Sequence, residues 1–309
     1  MTHAPHSPAA PTRPLRPGLL ALTLALPTAL YGSPATEAAC SLAARPGQPL
    51  VDVPFDVVDG RIHVQVRVND SGPYRFAVDT GASGLARADA RLVRRLALPA
   101  GAPTANSDGV QTATTETARI AALALGAVRR SEVTALTRDY NTRASAAAAF
   151  DGILARGFFA DGLLVIDYPQ RRLQFRRDVQ LLPAQPGTLS YTRAFRIPVT
   201  IGTVATEAQL DTGANVAMVL PTALYRQASA GAVSGGERLT LGHGQLEAGR
   251  AWLAEPVVVS GLTLRGLEVR VSDRYPEAVL GAHALQDAVL LIDQRSQRIA
   301  ICPRALQPG

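Results

Sequence analysis

Short runs of alternating polar and apolar residues, separated by turn-forming clusters, recur along this 309-residue chain. Residues 61–68 (RIHVQVRV) alternate, Asn69 to Gly72 supply a turn, and residues 73–78 (PYRFAV) return as a second strand. The design reappears later: residues 195–201 (FRIPVTI) alternate, Gly202 turns, and residues 203–210 (TVATEAQL) come back. Each predicted hairpin delivers Asp-Thr-Gly-Ala to a loop, at 79–82 and at 211–214, and a short helical stretch follows, at 88–98 and 221–228. No segment reads as a long crossover helix, so the pattern predicts mostly antiparallel β-structure.

The two halves also close alike. Residues 151–175 and 277–301 match at a constant spacing of 126, aligning Leu154 with Leu280, Ile166-Asp167 with Ile292-Asp293 and Arg172 with Arg298. The Asp-Thr-Gly elements lie 132 apart, so the halves differ in length somewhere in their middles. Between the halves, residues 179–192 are rich in Pro and Gly and read as a linker. The expected organisation is a leader and cleavage region at 1–39, an N-terminal lobe at 40–178, the linker at 179–192 and a C-terminal lobe at 193–309.

A single Asp-Thr-Gly is an ordinary turn sequence. Two copies at the ends of matched hairpins are different, because a pseudo-twofold axis between the lobes would set Asp79 opposite Asp211. Two carboxylates that close share a proton, and their pKa values split. The ionised one can draw a proton from a water held between them, while the protonated one hydrogen-bonds the carbonyl under attack. Gly81 and Gly213 let the backbone bend and bring amides towards the carboxylates, and the Thr80 and Thr212 hydroxyls are placed to hold the opposite loop.

With residues 76–83 (FAVDTGAS) and 208–215 (AQLDTGAN), each followed by an apolar element, Ile153-Leu154-Ala155 and Val279-Leu280-Gly281, the sequence resembles the aspartic peptidases. The approach at 53–69 is similar to the bacterial retropepsin-like branch. The resemblance covers about residues 50–303 and implies a mostly β, bilobal pepsin/retropepsin-like acid protease fold. It also implies a catalytic dyad of Asp79 and Asp211 and flap hairpins closing over an extended peptide or protein substrate. The flaps are expected near 104–119 and 239–250, neither with a tyrosine, and His243 is expected to be an exposed flap-tip residue. Ala82 and Ala214 stand where pepsins place a hydroxyl residue, which predicts a less acidic optimum than a pepsin's. Ala155 stands where the second half has Gly281; its methyl crowds the first loop, and this is expected to be tolerated because alanine is the smallest change available.

All 31 basic side chains are arginine. That removes Schiff-base chemistry, a phosphate-loop lysine and a lysine general base. The formal charge is +6, but the arginines are spread along the chain, which reads as a mixed solvated surface and not a nucleic-acid face. Residues 18–31 are apolar but too short to span a membrane, and Ser33, Ala35, Thr36 and Ala38 offer cleavage positions. Export to the periplasm or medium is expected. Cys40 and Cys302 are the only cysteines and form a candidate disulfide; lipidation of Cys40 ranks below it, because Glu37 sits where lipoprotein signals carry an aliphatic residue. His63, His243 and His283 are too scattered for a structural zinc site, so no metal and no cofactor is expected. The duplication supplies both carboxylates from one chain, so a monomer is expected. The alternative to an exported aspartic endopeptidase is a peptide-binding or scaffold protein of the cell envelope that keeps the fold without useful turnover.

Overall fold

From Val51 the chain lays down β1 (Val51–Pro54), β2 (Asp56–Val58), β3 (Arg61–Val68), β4 (Ser71–Asp79), β5 (Ala86–Asp89) and a short helix α1 (Ala90–Arg95). It continues through β6 (Thr104–Ser107), β7 (Thr112–Thr115), β8 (Thr117–Leu125), β9 (Val128–Arg138), β10 (Gly152–Ala155), β11 (Leu163–Asp167) and β12 (Arg172–Arg176). The second half follows with β13 (Leu189–Ser190), β14 (Arg196–Ile201), β15 (Val204–Asp211), β16 (Met218–Pro221), α2 (Thr222–Ala228), β17 (Ser234–Thr240) and β18 (Gln245–Leu253). It ends with β19 (Val257–Val259), β20 (Leu262–Leu264), β21 (Leu267–Ser272), β22 (Ala278–Gly281), β23 (Ala288–Asp293) and β24 (Arg298–Pro303). The computed structural model describes Met1 and residues 38–142, 144–240 and 244–303. The apolar leader, the cleavage positions at Ser33, Ala35 and Thr36, and His243 lie outside the described residues. Among the described residues no helix is long and apolar enough to cross a membrane.

Both sequence hairpins form. Asn69 and Asp70 turn the first with φ of 48° and 64°, a left-handed conformation these two residues tolerate best after glycine. Gly202 turns the second with φ of 58°. Each hairpin anchors a sheet of its own half, ordered β2-β3-β4-β10-β5-β9-β8 in the first and β17-β18-β21-β16-β22-β15-β14-β19-β20 in the second. Along β4, Phe76 and Val78 enter the main core while Ala77 joins a separate small cluster on the opposite face, as period-2 geometry requires. The helical stretch expected at 88–98 shrinks to α1, whose first turn is capped by Asp89 accepting from the Arg91 amide.

A third sheet, ordered β1-β12-β11-β23-β24-β13, is built from both halves. Its centre is the antiparallel pair β11–β23, in which Leu164 opposes Ile292, Val165 opposes Leu291 and Ile166 opposes Leu290. These are the segments that match at a spacing of 126, and they bury each other. One face of this sheet packs Leu163, Val165, Leu291 and Ala300 against Ala39, Leu42, Val179 and Leu181. Each buried leucine or valine among them contributes about 1.5–3 kcal/mol. Cys40 and Cys302 are joined there by a disulfide, tying the start of the described body to its last strand across a separation of 262 residues. The segment read as a linker is not all loop: Leu189 and Ser190 pair with Ile299 and Arg298, and Val179 and Leu181 are core. Pro and Gly set its turns, but buried apolar side chains hold it to the sheet.

Candidate active site

Asp79 is the last residue of β4 and Asp211 the last of β15. Each of these strands runs parallel to a short partner, with Ala155 of β10 opposite Asp79 and Gly281 of β22 opposite Asp211. The loops that leave the two strands meet, and Thr80 and Thr212 lock them. The Thr80 amide donates to Thr212 Oγ1 (3.1 Å), and that hydroxyl donates to the Val78 carbonyl (2.8 Å). In return the Thr212 amide donates to Thr80 Oγ1 (3.0 Å), which donates to the Leu210 carbonyl (2.9 Å). Both threonines are buried. Four mutually supporting bonds away from water hold the two loops more firmly than their individual ~1 kcal/mol suggests.

The glycines matter for a different reason from the tight bend expected of them. Neither has positive φ. A Cβ on Gly81 would run into the Asp211 carboxylate, and one on Gly213 would run into that of Asp79. Each carboxylate therefore occupies the space the opposite glycine leaves open. The amides that reach the carboxylates are Ala82 to Asp79 Oδ1 (2.8 Å) and Gly213 to Asp211 Oδ1 (2.9 Å), so the two loops differ in detail. Burial first, and then the neighbouring Asp79 carboxylate, push Asp211 up to about 7. One proton is thus retained on the pair into neutral solution.

Arginines brace both loops from outside. Arg61, at the head of β3, donates to the Gly213 carbonyl (2.6 Å) and to Asn215 Oδ1 (3.1 Å). Arg156, directly after β10, donates to the Gly81 carbonyl (2.9 Å). Two tyrosines complete the surroundings. Tyr140 follows β9 and lies within electrostatic reach of Asp79; Tyr275 follows β21 and lies within reach of Asp211. Burial raises the hydroxyl pKa of both, so both stay neutral donors. The sequence singled out none of these four residues, because each arrives from a strand or loop far from the Asp-Thr-Gly elements.

Hairpins form at both places where flaps are expected. The first is β6–β7 with its tip at 108–111, where Asp108 Oδ1 accepts from the Val110 (3.1 Å) and Gln111 (2.9 Å) amides. Val110 reaches across to pack with Tyr275 and Val216 of the second half. The second hairpin, β17–β18, is longer than the 239–250 expected, and its Gly244 lies beside the Gln111 side chain. The two hairpins thus approach each other at Gln111 and Gly244.

Ala155 does not displace the first loop. Its amide donates to Leu85 O (3.1 Å), as that of Gly281 donates to Ala217 O (3.0 Å), and its methyl packs in the small cluster with Ala77, Ala82 and Ile153. Among the described residues no group of three or more His, Cys, Asp or Glu side chains gathers as a metal site.

A mostly β chain that brings two Asp-Thr-Gly loops together is consistent with an aspartic protease fold. Residues 64–164, which carry Asp79, the first hairpin flap and Ile153-Leu154-Ala155, match the family model described as aspartyl protease. That match supports an aspartic protease family for this chain and suggests peptidase activity. No curated protein matches the chain.

Proposed function

We propose that this protein is an exported aspartic endopeptidase that hydrolyses peptide bonds with water activated between Asp79 and Asp211. The reading rests on one observation above all: each carboxylate fills the space left by the opposite Asp-Thr-Gly glycine, with both loops locked by reciprocal threonine bonds. Asp211, raised by burial and by its neighbour, holds the shared proton and donates to the scissile carbonyl oxygen. Asp79 carries the charge and takes the proton from water as it attacks, giving a neutral tetrahedral diol. Proton return to the amine nitrogen and cleavage of the C–N bond then regenerate the pair. The hairpins β6–β7 and β17–β18 close over an extended substrate and hold it by strand-like main-chain hydrogen bonds.

Two halves related by a pseudo-twofold axis account for the matched hairpins and for Val165 opposing Leu291, its counterpart 126 residues on. The disulfide between Cys40 and Cys302 supports an oxidising compartment, and hence export with the leader removed before Cys40. The decisive experiment incubates the mature protein with a mixed peptide library between about pH 3 and 7, beside Asp79→Asn and Asp211→Asn. Either substitution is expected to reduce kcat by about 10³-fold or more. Cleavage that survives either one removes the dyad; an intact fold that binds peptides and cleaves none establishes the peptide-binding alternative.

A further inference from the structure

A row of side chains crosses the sheet beside each aspartate. Cross-strand register lines up His63, Ala77, Ile153, Arg87 and Leu136 in the first half. In the second half it lines up Arg196, Gln209, Val279, Val219 and Arg270. Cross-strand partners share a sheet face, and so do residues two apart on one strand. Ala77 therefore faces the same way as Asp79, and Gln209 the same way as Asp211.

The second row is electrically closed. Arg196 donates to Glu277 (2.7 Å), Arg270 donates to Glu268 (2.5 Å), and the apolar Val219 stands between Val279 and Arg270. The first row is open. Arg87 takes the position that Val219 holds in the second; it is only 9% exposed and forms no ion pair with a carboxylate among the described residues. Its Nε is buried without a hydrogen bond, and its guanidinium lies against the Tyr140 hydroxyl. At the other end of the row His63 is 3% exposed with both ring nitrogens unpaired. The His63 ring lies 5.8 Å from that of Phe150, which lies 6.0 Å from that of Tyr140, and between them Ala77 and Ile153 make an apolar floor. A buried guanidinium with no counter-ion is costly, and nothing in packing requires one where valine serves in the other half.

We propose that this cluster around Arg87 is the subsite for an acidic substrate side chain. The carboxylate of a substrate Glu or Asp docks on Arg87 and the Tyr140 hydroxyl, and its methylenes lie on Ala77 and Ile153. The proposal rests on the peptidase reading and narrows its substrates to peptides with an acid on one defined side of the scissile bond. The surroundings agree. Arg138 stacks over Tyr140 (5.4 Å to the ring centroid), and Arg156 donates to the Gly81 carbonyl, so two further guanidinium groups stand near Arg87. Such a cationic neighbourhood draws acidic peptides in at long range, while the paired arginines of the second row give no such preference.

The test uses short synthetic peptides whose central bond is reduced to CH2–NH, made in pairs that differ only in Glu or Gln at one position on either side of that bond. Affinities are measured by calorimetry near pH 6, where glutamate is ionised, for wild type, Arg87→Met, Arg87→Lys and Tyr140→Phe. In parallel, kcat/KM is measured on the cleavable counterparts. Glu is expected to bind about tenfold or more tighter than Gln at a single position. Arg87→Met should erase that difference and leave the Gln peptide unchanged, Arg87→Lys should keep part of it, and Tyr140→Phe should weaken the Glu peptide more than the Gln peptide. Equal affinities at every position, a preference that survives Arg87→Met, or no binding at all overturns the proposal. Selective binding of Glu without cleavage sinks the peptidase reading and leaves the acidic subsite standing; cleavage without a Glu preference does the reverse.

Discussion

Ala155 and Gly281 occupy matching places opposite the two aspartates, yet only one of them tolerates a methyl group. A Cβ on Gly281 would run into the Val216 carbonyl oxygen and lie 2.9 Å from that of Ala214. In the first half the corresponding squeeze falls two residues further on, at Gly157 against the Gly84 carbonyl oxygen. Gly84 itself has φ of 79°, so the first loop takes a different path out of the site. The glycine has moved along the chain, and the close approach it permits has moved with it. Gly281→Ala is therefore expected to cost about 1–3 kcal/mol through overpacking and to lower kcat by shifting Asp211. Ala155→Gly should cost only about 1 kcal/mol in chain entropy and a lost buried methyl, with kcat/KM unchanged. Thermal unfolding and a peptide assay read both; a Gly281→Ala protein as stable and as active as wild type would refute the crowding account.

At the scale of elements, the two hairpin-loop units act as one because their threonines are exchanged. Replacing Thr80 or Thr212 by valine keeps the volume but removes a hydroxyl that both donates and accepts, leaving a buried amide and a buried carbonyl unpaired. Each single change is expected to cost about 2–4 kcal/mol in urea unfolding. The double mutant should cost clearly less than the sum, since either change already opens the shared network. Serine at either position should recover most of the loss, and simple additivity would mean that the loops are held separately. The hairpins and their loops were readable in the sequence because period-2 alternation, turn residues and a repeated tetrapeptide are all local signals. Arg61, Arg156, Tyr140 and Tyr275 were not, because what places them is register between strands distant in the chain. Arg87 shows why: it lies opposite Ile153 only because β5 pairs with β10, and no spacing in the sequence announces that neighbour. The two strand residues within the linker were hidden for a related reason, since a two-residue strand has too few positions to show alternation.

For the whole molecule, two buried titrating groups set opposite limits on stability. Asp211 has a folded-state pKa raised to about 7. Below an ordinary carboxylate's pKa it is protonated in both states and costs nothing; as pH rises from about 4 through 7 the unfolded chain ionises freely while the native one resists, so stability is lost. His63 is the reverse case. Burial first, and then Arg75 and Arg61, lower it to about 4. The native imidazole stays neutral while the unfolded one protonates below about 6.5, so this contribution is complete at neutral pH and drains away as pH falls towards 4. The two windows overlap between about pH 4 and 6.5, where their opposite slopes nearly cancel, so together these two groups leave stability almost flat there and removing either one uncovers the slope of the other. Asp211→Asn is expected to raise the unfolding free energy at about pH 7.5 by on the order of 2 kcal/mol and to change little at about pH 3.5. His63→Leu should do the converse, stabilising by a similar amount near pH 4 and showing a much smaller gain near pH 7.5. Urea unfolding across this range measures all three proteins. A wild-type profile that Asp211→Asn leaves unchanged on its alkaline side would show that the pair does not retain its proton into neutral solution, and with it would fall the assignment of Asp211 as the proton donor.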